Sequence, residues 1–244
     1  MEISIDTPTI IFLHDSLGSV ELWRDFPDQL CKATGCNMLV YDRQGYGHSD
    51  PMAEPERTNN YMEQEADTLQ LLIQTLNIQQ PILFGHSDGA SIALIFAGKY
   101  PEAVSAVIAE AGHLFVEDIT LEGIRKAAEQ YKTTNLRSRL EQYHGNKTDT
   151  LFRAWTETWQ GKGFRDWNIG HFLPAIKCPV LVIQGEKDEY GSLKQVAAVR
   201  EQVKSYTATC IIPDTGHTPH KEKPAIVLDE STRFIRQRFS RSPL

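Results

Sequence analysis

Pro81-Ile82-Leu83-Phe84-Gly85-His86-Ser87-Asp88-Gly89-Ala90-Ser91-Ile92-Ala93-Leu94-Ile95-Phe96-Ala97 reads as an apolar strand, a sharp turn and an apolar helix, with serine at the apex of the turn. A serine in such an elbow sits in a strained backbone region, and the glycines at 85 and 89 let strand and helix pack closely around it. The bare pattern G-x-S-x-G arises by chance in roughly one chain in ten of this size at average glycine and serine usage. Its setting gives it weight, and so do two residues further on. Cys178 to Gln184 is a short apolar strand ending in Gly185-Glu186-Lys187-Asp188, and Thr207 to Ile212 is a strand ending in Pro213-Asp214-Thr215-Gly216-His217. Ser87, Asp188 and His217 are each expected where a strand ends, in the order serine, acid, histidine. In open α/β sheets that carboxyl edge is where ligands bind.

Strand patterns recur near 9 to 13, 37 to 41, 81 to 85, 105 to 110, 179 to 184 and 207 to 212. Helical patterns lie near 20 to 33, 61 to 76, 88 to 99, 192 to 203 and 224 to 238. This alternation predicts an α/β fold, a mostly parallel sheet of six to seven strands with helices on both faces, in one domain. Residues 111 to 174 are too long for a single crossover and are polar and helix-prone, so they are expected to form an inserted helical cap over the catalytic edge.

The chain resembles the α/β-hydrolase superfamily nearly end to end, in five motifs. Ile10 to Ser19 is similar to the oxyanion loop His-Gly-x-x-Gly, with Asp15 standing where the family normally has glycine. Tyr41-Asp42-Arg43-Gln44-Gly45-Tyr46-Gly47-His48-Ser49 is similar to the family's D-x-R-G-x-G-x-S loop. The elbow, Gly185 to Asp188, and Gly216 to Pro224 complete the set. The closest subgroup is the biphenyl hydrolase-like proteins, also called valacyclovir hydrolases, which share an acid after the nucleophile and a segment like Trp159 to Pro174 followed by Cys178-Pro179. With only about eight residues before the first strand, the family's N-terminal β-hairpin is expected to be missing or reduced to Glu2-Ile3-Ser4-Ile5.

The resemblance implies roles. Ser87 would attack a carbonyl carbon and pass its proton to His217, held by Asp188; Glu110, ending the fourth strand, is the substitute acid. Backbone N–H groups of Ser16 and Asp88 would form the oxyanion hole. Asp15 would point away from it, capping the helix near residue 20 or bonding its own loop. Two readings of the Asp88 side chain stand side by side: an acid favoured by a helix N-terminus, or a partner for a cationic substrate group such as the α-amino group of an amino-acid ester, its role in the subgroup. His113, Trp155 and Trp159 are candidates to touch substrate, and Trp23 to close the wall beyond the oxyanion loop. His14 and His86 are expected to pack and hydrogen-bond beneath the site, and His220, three residues after the base, to cap or pack.

A net charge of -7 with no basic face argues against nucleic acid, and no stretch approaches the length of a membrane span. The N-terminus lacks a signal sequence, so a cytoplasmic protein, monomer or homodimer, is expected. Cys31, Cys36, Cys178 and Cys210 lack metal-ligand spacing and are expected as free thiols, Cys178 and Cys210 in buried strands. No metal or organic cofactor is implied. The expected function is hydrolysis of small carboxylic esters, amino-acid esters among them, through an acyl-enzyme on Ser87. The alternatives are C–C bond or lactone hydrolysis or a menaquinone-pathway elimination on the same triad, and a non-enzymatic ligand-binding role.

Overall fold

The computed structural model describes residues 7–54 and 56–239. Strands β1 (Thr9–Leu13), β2 (Asn37–Val40), β3 (Pro81–His86), β4 (Ala106–Glu110), β5 (Val180–Gly185) and β6 (Thr207–Ile212) form one sheet in the order β2-β1-β3-β4-β5-β6, with every pair parallel. The strand positions match the sequence patterns to within a residue or so. The expected remnant hairpin at Glu2 to Ile5 lies outside the described residues.

Side chains alternate across the pleat and divide the core in two. Ile11, Leu13, Leu83, Val107, Ala109, Val180 and Val182 face the layer containing α2 (Tyr61–Thr75), α3 (Asp88–Lys99) and α7 (Leu193–Gln202). Ile10, Phe12, Ile82, Phe84, Ala106, Ile108, Leu181 and Ile183 face α1 (Phe26–Thr34) and α9 (Pro224–Phe239). The central strands β3, β4 and β5 are buried along their whole length and carry unbroken apolar runs. Edge strand β6 is only partly covered, so Cys210 is half-buried rather than enclosed as expected; all four cysteines are free.

The helix expected over 20 to 33 is divided. A 3₁₀ turn at Glu21–Trp23 ends at Arg24, whose φ of 54° no helix tolerates, and α1 restarts with Pro27 in its first turn. Between β4 and β5 lie three helices, α4 (Asp118–Thr133), α5 (Leu136–His144) and α6 (Thr148–Gln160), followed by 3₁₀ turns at Lys162–Phe164 and Gly170–Ala175. A short helix, α8 (Pro219–Glu222), precedes α9. Among the described residues no helix is long and apolar enough to cross a membrane.

The chain order reverses between β1 and β3, which stand side by side with Leu13 opposite Gly85, so the loops leaving both strands emerge together. Packing there is tight. A Cβ on Gly85 would lie 2.2 Å from the Gly89 carbonyl oxygen, and one on Gly89 would lie 1.9 Å from the Leu13 carbonyl oxygen. Gly89→Ala is therefore expected to cost about 1–3 kcal/mol or more by overpacking, read as a lowered urea midpoint at unchanged slope; an unaffected midpoint would mean the elbow yields easily.

Candidate active site

Ser87 occupies φ 54°, ψ -118°, a conformation that costs a non-glycine residue on the order of 1–3 kcal/mol. Its neighbours impose it: the Ser87 N–H donates to the Glu110 carbonyl on β4 at 2.9 Å, while its own carbonyl receives the N–H groups of Ala90 and Ser91, opening α3. The turn leaves the hydroxyl 2.9 Å from His217 Nε2. His217 Nδ1 lies 2.9 Å from both carboxylate oxygens of Asp188.

The strand ends bring these residues together. Gly185 ends β5, and a Cβ there would meet the Gly216 carbonyl oxygen at 2.1 Å, so only glycine lets the His217 loop cross above it. The Lys187 N–H donates to the Thr215 carbonyl at 2.8 Å and locks the two loops. Asp188 accepts from the backbone N–H groups of Tyr190 at 2.8 Å and Gly191 at 3.2 Å and from the Gln184 amide at 2.6 Å. Burial alone would raise its pKa; the His217 charge and these donors outweigh it and hold the carboxyl at about 2. For His217, burial opposes protonation, yet the Asp188 carboxylate prevails and its pKa is raised.

Glu110, the substitute acid, does not reach His217. Its carboxylate takes the His220 N–H at 2.6 Å and His220 Nδ1 at 2.7 Å, a buried pair below the site. With His86 these residues bring three potential ligand atoms within 4.8 Å of one another. The carboxylate is already engaged by His220 and both His86 nitrogens have other partners, so the group reads as a hydrogen-bonded support.

Asp15 bonds its own loop, one of the two expected outcomes: Oδ1 accepts the Leu17 N–H at 2.8 Å, and Oδ2 lies 3.1 Å from His86 Nδ1. The other expectation fails, because the N–H of Val20 is taken by Asp42 Oδ1 at 2.8 Å. Among the described residues no protein acceptor is bonded to the N–H of Ser16 or of Asp88, the first residue of α3. The Tyr41-to-Ser49 loop supports this arrangement from behind. Buried Arg43 donates to the carbonyls of His14 at 3.1 Å and Asp15 at 2.9 Å, and Gly47 (φ 42°) leaves room for the Asp42 carboxylate.

A cavity of about 450 Å³ opens over Ser87, a size suited to a small ligand. Asp15, Ser16, Asp88, His113, Trp155, Trp159 and His217 line it, as do Leu17, Tyr190 and Arg139, for which no sequence motif points to the site. Trp23 does not: it is buried on the opposite face of the sheet, against Phe12, Phe84 and His220. His113 donates through Nε2 to the Tyr190 carbonyl at 3.1 Å, and burial with nearby His217 lowers its pKa. The Asp88 carboxylate is already engaged: Oδ2 accepts the Tyr61 hydroxyl at 2.8 Å and lies 3.9 Å from Nη1 of buried Arg57. Tyr61 in turn accepts the Trp159 indole N–H at 3.2 Å. His144 was also missed. From α5 it accepts the Gly47 N–H and donates to the Leu17 carbonyl, both at 3.0 Å, tying this helix to the two loops.

A family profile described as the alpha/beta hydrolase fold matches residues 8–168. The chain belongs to the α/β-hydrolase family. This α/β-hydrolase is 30% identical to the human serine hydrolase BPHL over 224 residues, 86% of this chain and 73% of the relative. It is 25% identical to 2-succinyl-6-hydroxy-2,4-cyclohexadiene-1-carboxylate synthase of Salmonella typhimurium, with 94% of each chain covered. Among solved structures, a carboxylesterase of Nitrososphaera gargenis superposes with a TM-score of 0.77 at 20% identity, over 97% of this chain and 92% of that one.

In an NMR titration of the His217 ring, the wild type is expected to titrate above the unperturbed value of about 6.5, because Asp188 favours the imidazolium. In Asp188→Asn burial is left as the larger influence, and the midpoint is expected below that value. Equal midpoints in the two proteins would show that Asp188 does not govern the base.

Proposed function

We propose that this α/β-hydrolase cleaves small carboxylic esters through an acyl-enzyme on Ser87. The observation that carries the proposal is the continuous line from Ser87 Oγ through His217 to Asp188, at 2.9 Å per step, under a cavity of about 450 Å³. In the reaction Ser87 Oγ attacks the ester carbonyl carbon while His217 Nε2 takes its proton. Asp188 holds the Nδ1–H tautomer and stabilises the imidazolium. The developing oxyanion accepts from the N–H groups of Ser16 and Asp88, and the negative charge also gains from the N-terminus of α3. The proton on His217 then passes to the leaving alkoxide. Water, deprotonated by His217, releases the acid and restores Ser87.

Residues 111–174 serve as the cap, with His113, Arg139, Trp155 and Trp159 among the side chains it brings to the pocket. Likeness to a serine hydrolase at 30% identity supports ester chemistry. The same residues suit lactone or C–C hydrolysis or an elimination, so a substrate panel includes a lactone and a β-diketone beside the esters.

A fluorophosphonate probe is expected to label Ser87, and His217→Ala to lower ester turnover by about 10⁴-fold or more, since the members of a triad act as a unit. A label on another residue, or a loss under tenfold, would contradict the assignment.

Asp88 lines the pocket with its charge already shared by Tyr61 and Arg57. A free, desolvated carboxylate would favour a cationic acyl group by roughly 10 to 150-fold; here the preference in kcat/KM for an amino-acid ester over its desamino analogue is expected below about tenfold. A larger preference that collapses in Asp88→Asn would instead make Asp88 the recognition site for an amine.

A further inference from the structure

His86, the residue before the proposed nucleophile, is buried and has an acceptor at each ring nitrogen. Nε2 lies 2.8 Å from the backbone carbonyl oxygen of His217, and Nδ1 lies 3.1 Å from Asp15 Oδ2. A carbonyl can only accept, so Nε2 carries a proton. A carboxylate can also only accept, so Nδ1 carries one as well, and the ring is an imidazolium facing an anion. A neutral ring would leave one of these contacts between two acceptors.

His86 faces Asp15 from the oxyanion loop, the rings of His217 at 5.2 Å and His220 at 4.9 Å, and, behind His220, the carboxylate of Glu110. Lys221, next to His220 on α8, also brings positive charge near Asp15. Burial would push the Asp15 carboxyl up, but the hydrogen bond and charge of His86 override it and hold the group well below its ordinary value. Asp15 is therefore an anion with its charge met beside it. This resolves the difficulty of a carboxylate next to a place where negative charge develops.

We propose that Asp15 and His86 form a second acid–histidine pair, set behind the first, that fixes the oxyanion loop and the backbone of His217 relative to Ser87. The pair joins three separate pieces of chain. Asp15 precedes the Ser16 N–H, His86 is covalently joined to Ser87, and the His86 Nε2–H holds the carbonyl of His217 itself. The residues come from the ends of β1 and β3 and from the loop after β6. Asp15 and His86 act as positioning residues and touch no reacting atom. With glycine at position 15, the family's usual residue there, this link has no acid, so the pair belongs to this chain's own departure from the pattern.

The proposal rests on Ser87 as nucleophile, and its test separates the two. In 15N NMR of the folded, unliganded protein, the His86 ring nitrogens are expected to be both protonated at pH 7 in the wild type and only one of them in Asp15→Asn. An unprotonated nitrogen on wild-type His86 overturns the proposal, whether or not the protein is active. With p-nitrophenyl butyrate, Asp15→Ala is expected to lower kcat by about 10 to 100-fold, the scale of loss from ångström-level misplacement, with KM within about threefold. Asp15→Asn is expected to recover most of it, because the amide donates to the Nδ1 of a neutral His86. The double variant Asp15→Ala/His86→Ala is expected to be no worse than the poorer single. Losses that multiply, or an Asp15→Ala enzyme that matches the wild type in kcat, overturn it. A wild type that fails to turn over or label at Ser87 counts against the nucleophile, and the ring-nitrogen spectrum then decides the pair alone.

Discussion

Everything in this site depends on how closely α3 approaches β1 and β3. Gly89 lies so near the Leu13 carbonyl, and Gly85 so near the Gly89 carbonyl, that a methyl group at either position has no room. That approach forces Ser87 to φ 54° and turns its hydroxyl out of the sheet edge, while two adjacent buried strands hold it there through the Ser87 N–H and the Glu110 carbonyl. Strain of this size is sustained because strands on both sides and a buried helix over-determine the backbone. A looser elbow would let the serine relax to ordinary dihedrals and lose its line to His217.

The other pieces are placed by the same economy of loops. The loops after β1, β3, β5 and β6 meet at one edge, and each is stapled to a neighbour rather than left to itself: Arg43 to the carbonyls of His14 and Asp15, Lys187 to Thr215, His86 to His217, His144 to Leu17. Four acids at this edge each have a partner. Asp188 faces His217, Glu110 faces His220, Asp15 faces His86, and Asp88 is shared between Tyr61 and Arg57. An unpaired buried carboxylate would cost several kcal/mol, so each pairing steadies the fold.

Much of this was legible in the sequence because it is local. Apolar runs bounded by turn residues gave all six strands, and the elbow, Asp188 and His217 each follow a strand within a few residues. What was not legible depends on distant pieces. Nothing between Asp15 and His86 signals that they meet; the contact follows from β1 pairing with β3 in the register that sets Leu13 beside Gly85. Arg57 lies in a loop without periodicity, so its approach to Asp88 left no trace, and with it went the clue that Asp88 is already partnered. His144 stands in a polar helix whose own pattern says only that it is exposed to water on one side, yet it is buried between two loops. Trp23 misled for the opposite reason: it follows the loop after β1 in sequence, but the 3₁₀ turn at Glu21–Trp23 places it on the other face of the sheet, against His220.

The proposed reaction proceeds through a covalent ester on Ser87. Its most direct measurement is rapid mixing with p-nitrophenyl acetate, following nitrophenol release and quenching samples for peptide mass spectrometry. A burst of one equivalent per enzyme is expected before steady turnover, with an acetyl group on the peptide that contains Ser87. Turnover without a burst and without acetylation, under conditions where deacylation is slowed by low pH, would contradict it.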